Sequence, residues 1–246
     1  MYSRTLAVML AVAPLGAVAQ APANWPVQPV QQQPRSTNWQ FAVRSGYALP
    51  FGRATSAAGD DLSATVAGDV PLGLEVNYRL NPQVYLGAAF QYGFSSMSDT
   101  LKNACPSGVS CSAHTVRVGV NAFYHLSPRQ TIDPWVGVGM NVETLTFTAA
   151  TGGASSGATI WGFELLDAQF GLDYQASSLF SIGPFLSASL SQYSYVDSPV
   201  ASGNIANKAV HGWFKFGLKM SMPTLSWTKH NARLSFRWCP FLPWYA

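Results

Sequence analysis

A period of two in hydrophobicity runs through most of this chain, and it constrains the fold more than any other feature. The clearest segment covers residues 70–80, where Val, Leu and Tyr alternate with Gly, Glu, Asn and Arg. Successive side chains of a strand point to opposite faces, so this segment is predicted to be a β-strand with one apolar face. The same alternation recurs in seven further segments, at residues 40–49, 84–94, 116–126, 136–143, 166–174, 180–190 and 213–220.

The charges of these segments lie on the faces opposite the apolar ones. None of the eight apolar faces carries a charge, and the polar faces consist largely of Gly, Ser, Asn and Gln. Only 10% of the residues are charged while 48% are hydrophobic, whereas soluble domains average about 25% charged residues. A soluble barrel or sandwich would need richly charged outward faces. The pattern therefore predicts apolar faces that contact lipid around a polar lumen.

The connections between these segments alternate in length. Long connections rich in Gly, Ser, Ala and Asp are expected at residues 52–69, 95–113, 149–159 and 194–208, and short ones at 81–83, 127–133 and 175–178. Bacterial outer-membrane barrels have short periplasmic turns and longer extracellular loops. We therefore predict an all-β fold, an eight-stranded antiparallel up-and-down transmembrane β-barrel over residues 39–222, with both termini in the periplasm and the long loops outside the cell.

One predicted strand is irregular. If Gly162 and Glu164 face inward, even-numbered residues point into the lumen. From Asp167 onward, however, the polar residues that should face inward are odd-numbered. The change of parity indicates either a β-bulge near Leu165 or Leu166, or a different strand boundary.

The residues that flank the barrel have other compositions. Residues 1–19 combine Arg4, an apolar stretch and a terminal Ala-Val-Ala, which predicts a cleaved secretory signal peptide. An uncleaved anchor helix is the alternative, but the stretch falls short of the roughly 20 residues that a span needs. Residues 20–38 are rich in Pro and Gln and are predicted to be a periplasmic leader. Residues 223–246 form an atypical C-terminal tail.

The strand segments resemble those of the small bacterial outer-membrane β-barrel proteins of the OmpA transmembrane, OmpX and OmpW types. The likeness covers residues 39–222 and includes residues 134–139 (PWVGVG) and 213–219 (WFKFGLK), which are similar to central and last strands of such barrels. The family includes adhesins, membrane anchors and small-solute conduits, so the resemblance implies a fold and an outer-membrane location but no single activity. Such barrels usually end on an aromatic residue, whereas this chain continues past Met222.

Charged residues on the polar faces are expected to point into the lumen. They are Arg44, Glu75, Arg79, Arg117, Glu143, Glu164, Asp167, Asp173, Lys215 and Lys219. An eight-stranded barrel is only wide enough for side chains to fill. We therefore predict a salt-bridge network that plugs the lumen. A narrow pathway for protons, ions or a small solute is the alternative.

Two cysteines lie close together in one predicted long loop. Cys105 and Cys111 flank a Pro- and Gly-containing segment, which predicts a disulfide formed in an oxidising compartment. Two thiols without nearby His or carboxylate ligands cannot complete a zinc site, so no metal site is predicted. Cys239 is left without a predicted partner.

The sequence offers no group of catalytic residues. His114, His125, His211 and His230 each stand alone, without a nucleophile motif, a phosphate loop or a dinucleotide fingerprint. No catalytic residue and no cofactor is therefore predicted, and we expect that the protein is not an enzyme.

Two functions fit these features. The first is a structural or surface-interaction barrel with a filled lumen, which contacts outer-membrane lipid and, through its long loops, a surface ligand or host cell. The second is a narrow conduit for small or apolar solutes, as in OmpW-like barrels, and a lipid-modifying enzyme comes third. A monomer is expected, and scattered Lys and Arg residues give no support to nucleic-acid binding. A filled lumen favours the first function, whereas a continuous cavity or an apolar sideways funnel favours the second.

Overall fold

The computed structural model describes residues 38–56, 60–177, 179–200 and 202–223. The predicted signal peptide, nearly all of the leader, the tail from residue 224 onward and Cys239 lie outside the described residues. None of the helices in the described ranges is long and apolar enough to cross a membrane.

Nine strands and two short helices make up the regular structure of the described residues. They are β1 (Trp39–Gly52), α1 (Leu62–Thr65), β2 (Val66–Arg79), β3 (Val84–Met97), α2 (Asp99–Ala104), β4 (Ser110–His125), β5 (Ile132–Thr151), β6 (Ala154–Ser177), β7 (Phe180–Asp197), β8 (Ser202–Asn204) and β9 (Val210–Pro223). The long strands pair antiparallel in sequence order, and β8 adds only a short pairing to the end of β7. β1 also pairs with β9, from Gln40↔Pro223 to Gly52↔His211. The eight long strands therefore close into a ring, which confirms the predicted transmembrane β-barrel fold.

The outside of the ring is covered by apolar side chains. Leu74 in the middle of β2 is 52% exposed, and Val120 and Leu186 on other strands are exposed to a similar degree. Such an apolar band suits contact with hydrocarbon. Because the ring is closed, it has no free strand edge that would leave backbone groups unpaired in lipid.

Aromatic residues border this band at both ends. At the end with the short turns, Trp39 packs edge-on against Tyr78, with ring centroids 5.0 Å apart. At the end with the long loops, Tyr92 packs edge-on against Phe94, also at 5.0 Å. These positions are typical of the aromatic girdles at membrane interfaces.

The expected irregularity in β6 is a bulge. Leu165 and Leu166 are both exposed on the outside, and the pairing with β7 shifts between Glu164 and Leu166. The extra residue changes the parity, so that Glu164 and Asp167 both face the lumen although they are three positions apart.

The predicted long loop at residues 149–159 is wrong. β5 continues to Thr151 and β6 begins at Ala154, and only Gly152 and Gly153 connect them. Both glycines have positive φ, 53° and 90°, as tight hairpin turns require. The composition of this segment, rich in Gly, Ser and Ala, suggested a loop. The two strands pair through their backbone groups, however, so their side chains do not need to form an apolar face.

Two apolar clusters lie inside the barrel, one near each end. The short-turn cluster consists of Tyr85, Phe123, Trp135 and Phe185. The long-loop cluster consists of Ala48, Leu62, Val66, Leu145, Tyr193 and Trp213. The polar lumen lies between these clusters.

Candidate functional site

Three charged side chains occupy the lumen beside the short-turn cluster. Arg44 in β1 forms an ion pair with Glu75 in β2, and Lys219 Nζ in β9 lies 3.9 Å from Glu75 Oε2. Arg44 and Lys219 are direct partners across the β1–β9 pairing, so Glu75 lies against two adjacent cations. Lys219 Nζ also lies 4.5 Å and 4.3 Å from the ring centroids of Phe123 and Trp135. These aromatic faces attract the ammonium group.

A second charged group lies toward the long-loop cluster, with Arg117 at its centre. The guanidinium nitrogens of Arg117 lie 3.7 Å from Asp69, 3.2 Å from Glu143 and 3.5 Å from Glu164. Its central carbon lies 4.7 Å from the Trp213 ring centroid. Arg117, the three carboxylates and Trp213 are all buried. Because a buried carboxylate cannot be stabilised by water, the three carboxylates depend on nearby cations.

Gln169 connects the two charged groups. Arg44 Nη1 donates to Gln169 Oε1 at 3.0 Å, and Gln169 Nε2 donates to Asp167 Oδ2 at 2.9 Å. Lys215 Nζ then lies 3.5 Å from Asp167 and 3.3 Å from Glu164. The polar side chains therefore form one connected network along the lumen.

Glu143 is also held by groups that the sequence did not indicate. Its Oε1 accepts hydrogen bonds from Tyr193 Oη at 3.1 Å and from Trp213 Nε1 at 2.9 Å. Its Oε2 lies 3.7 Å from His211 Nε2, and the His211 ring stacks on Tyr193 with centroids 3.9 Å apart. These contacts join the network to the long-loop cluster.

The remaining predicted lumen residues lie near the short-turn end. Asp173 Oδ1 accepts a hydrogen bond from Trp135 Nε1 at 2.9 Å. Arg79 is half-buried at the end of β2, where its backbone N–H donates to the Asn38 carbonyl at 2.7 Å. Asp69, which the sequence placed in a loop, instead faces inward from β2 and pairs with Arg117.

Two histidines outside this network have aromatic neighbours. His125 Nδ1 lies 2.7 Å from Asp133 Oδ2 at the short-turn end, and its ring lies 4.5 Å from that of Tyr85. His114 stacks on Tyr92 near the long-loop end, with centroids 5.4 Å apart. His230 lies outside the described residues. Within the part of the chain that the structure describes, no group of three or more His, Cys, Asp or Glu residues could hold a metal ion.

Two cavities that lie between the described side chains of the lumen are small. One cavity of about 20 Å³ lies beside Arg44 and Arg117, and another of about 20 Å³ lies beside His125 and Asp133. A water molecule needs roughly 10–15 Å³ of such space. Each cavity is therefore large enough for water and too small for an organic solute.

A larger cavity opens above the long-loop cluster, and we call it the outer cup. It has a volume of about 440 Å³, and its walls come from α2 and the segment after it, from the β5–β6 hairpin, and from the turn between β7 and β8. Cys105 and Cys111, which form a disulfide with Cα atoms 6.5 Å apart as the sequence predicted, are part of its lining. Phe147, also in the lining, packs against the long-loop cluster.

Comparisons with known proteins give matches among solved structures. No family model matches the sequence, and no curated protein matches it. Among solved structures, the chain is similar to Neisserial surface protein A, with 12% identity, 76% of this chain and 98% of that chain covered, and a TM-score of 0.49. It is also similar to the outer membrane protein OprG of Pseudomonas aeruginosa (16% identity, 76% and 98% covered, TM-score 0.43). A third is the outer membrane protein AlkL (13% identity, 80% and 96% covered, TM-score 0.46). These likenesses concern the fold alone.

Proposed function

We propose that this chain is a non-conducting outer-membrane barrel that presents a recognition surface outside the cell. One observation carries the proposal, namely that a connected network of buried charges fills the lumen between two apolar clusters. Trp213, Tyr193 and Leu145 in the long-loop cluster are at most 1% exposed, so a solute that entered from this end would meet packed side chains. Such packing transmits no solute without rearrangement.

The orientation in the membrane is part of this proposal. β1 begins and β9 ends at the short-turn end of the barrel, which we place in the periplasm together with both termini. The long-loop end then faces the exterior and carries α2, the disulfide, β8 and the β5–β6 hairpin. The partners on this proposal are outer-membrane lipid around the barrel and a surface ligand or host cell at the loops. The barrel acts as a monomer.

A second candidate function is a conduit for small or apolar solutes, and the outer cup supports it. The cup has an apolar lining and an adequate volume. For conduction, however, its floor at Phe147 and the cluster below would have to open.

We also propose that the protein is not an enzyme. His125 and His211 each face a carboxylate, but both are buried inside the barrel. A lipid substrate would reach the outside of the barrel, where His114 stacks on Tyr92. Nucleophilic catalysis needs a nucleophile and a base within hydrogen-bond reach of each other and of the substrate. The buried His125 and His211 do not meet the second of these conditions for a lipid substrate.

Conductance of the full chain in planar lipid bilayers tests the filled lumen. We expect no steady conductance from the wild-type protein. Trp213→Ala combined with Trp135→Ala should produce leakage, since the pair removes a fully buried indole from each of the two apolar clusters. Phe214→Ala combined with Val136→Ala removes the neighbouring outward side chains, 54% and 43% exposed, and should stay silent. Insertion is checked by the gel mobility of the folded form. Steady conductance of the wild-type barrel would contradict the proposal and favour the conduit.

Recognition at the loops is tested on cells that display the protein. Removing residues 148–149 and 156–157 deletes two cross-strand pairs from the β5–β6 hairpin and keeps its turn and the parity of both strands. We expect weaker adhesion to host cells or extracellular matrix and an unchanged amount of folded barrel. Equal adhesion of wild-type cells and of cells that lack the protein would refute the surface role.

A further inference from the structure

We infer that the outer cup binds a single unbranched alkyl chain of a small, uncharged amphiphile. The inference deepens the proposed surface role, since it names a ligand class for the long-loop end. It is carried by the lining of the cup, by the way its walls are fixed, and by its closed floor.

The lining of the cup is apolar and carries no charged side chain among the described residues. Leu101, Pro106, Phe147 and Val200 contribute hydrocarbon surface, and the polar side chains are hydroxyls of Ser and Thr. Burying a charged headgroup beside such a surface costs free energy that no partner repays. An alkyl chain breaks no hydrogen bond of its own on leaving water, and each CH₂ that it buries is worth about 0.8 kcal/mol.

The volume of the cup sets the size of the ligand. About 440 Å³ lies toward the lower end of the range of roughly 300–1,000 Å³ for small-molecule sites. This volume suits one chain with a small headgroup, and we exclude a two-chain lipid as the occupant. Val200 on the turn after β7 is 94% exposed at the rim, where a bound chain would cover it.

The wall that contains α2 is fixed at both ends. At its start, the Ser98 side chain accepts a hydrogen bond from the Leu101 N–H at 3.3 Å and donates to the Ala64 carbonyl. The Ser98 N–H donates to the Thr65 carbonyl at 3.0 Å. At its end, the disulfide joins Cys105 to β4. A wall that is already ordered costs little conformational entropy on binding, and this favours affinity.

The floor of the cup closes it toward the lumen. Phe147 packs on the long-loop cluster, which includes Leu145 and Trp213. A chain that enters the cup therefore stops there, so the cup is a receptor site and does not form the mouth of a channel.

Photolabelling tests this site in the full chain, reconstituted in phosphatidylcholine nanodiscs. The probe is a diazirine analogue of dodecanol, and labelled peptides are identified by mass spectrometry. We expect labels on peptides 97–112 and 147–158 that excess dodecanol displaces saturably. Labels on the lipid-facing band serve as an internal control for folding and for partition of the probe into the nanodisc. Excess dodecanol should lower these labels only in proportion to the dilution of the probe. Dodecyltrimethylammonium should displace the cup labels less well than dodecanol does.

Matched variants identify the cup as the source of these labels. Ala149→Trp fills the cup, since Ala149 is in its lining, and should abolish saturable labelling there. Ala150→Trp changes the next residue, whose side chain is on the opposite face of β5, and should leave labelling intact. Cys105→Ser with Cys111→Ser should weaken it by loosening the wall.

Three results would overturn the inference: unsaturable cup labels, equal labelling of the Ala149→Trp variant and wild type, or equal cup labelling by a phospholipid that carries the same diazirine chain. Conductance separates this inference from the proposed function. A silent barrel without saturable labels refutes alkyl-chain binding alone. A conducting barrel with saturable labels refutes the sealed lumen and the closed floor of the cup, and leaves alkyl-chain binding standing.

Discussion

Replacing Arg117 with Met should strongly destabilise the barrel. The substitution keeps a long side chain but removes the cation that lies within 3.7 Å of Asp69, Glu143 and Glu164. Breaking a buried ion pair by removing one partner costs about 3 to 5 kcal/mol. Loss of the guanidinium from the Trp213 ring adds about 1 kcal/mol. We therefore expect the free energy of unfolding to fall by about 4 to 6 kcal/mol.

Urea unfolding in lipid vesicles, followed by tryptophan fluorescence and gel mobility, measures this change. Lys102→Met is the control, because Lys102 is half-exposed in a surface pair with Asp99 at 3.8 Å, and such pairs contribute less than about 1 kcal/mol. Adding Glu143→Gln to the Arg117 variant should restore part of the loss, since one unpaired carboxylate is removed. A change of less than about 1 kcal/mol for Arg117→Met would refute the reasoning, because it lies far below the cost of a broken buried pair.

Three further predictions concern the faces, the disulfide and the fold. Leu74→Arg should lower the free energy of unfolding in vesicles by roughly 2 to 4 kcal/mol because the charge meets hydrocarbon. Asn77→Ala inside the lumen should lower it less, and the reverse order would mean that the faces are assigned wrongly. Mass spectrometry of unreduced protein should find a peptide that links Cys105 and Cys111, and alkylation of both thiols in the native protein would contradict this disulfide. The short loop that the disulfide closes contributes about 2 to 3 kcal/mol to stability in the chain-entropy model. Detergent-folded protein should show a strand-rich circular dichroism spectrum and heat-modifiable gel mobility, whereas a mainly helical spectrum would exclude the fold.

The alternation of the sequence predicted the two faces of the barrel because lipid imposes a strict requirement on the outer one. Every second residue of β2 from Val70 to Tyr78 had to be apolar, and the structure places all of them outside. The bulge at Leu165 and Leu166 was one of two explanations that the sequence offered for the inward positions of Glu164 and Asp167, and the structure shows that it is the correct one.

The sequence was less informative beyond the membrane. Near the long-loop end of β5, the outward residues are Thr144, Thr146 and Thr148, which water tolerates, so the alternation fades although the strand continues. For the same reason β7 and β9 were predicted too short, and Tyr193 and His211 were missed. The contact of Arg117 with Asp69 joins residues 48 positions apart on strands that are not neighbours. Such pairs depend on barrel shear and on rotamers, which local periodicity does not determine.

The meeting of Arg44 and Lys219 bears on how the barrel assembles. β1 and β9 are the first and last long strands of the ring, so their pairing completes it. At that step two cations come side by side, and Glu75 on β2 can neutralise both only in the native alignment. A slip of one residue would turn Lys219 toward lipid, and a slip of two would carry it past Glu75. The contacts of the buried carboxylate with both cations therefore favour the native register of the β1–β9 pairing over a shifted one.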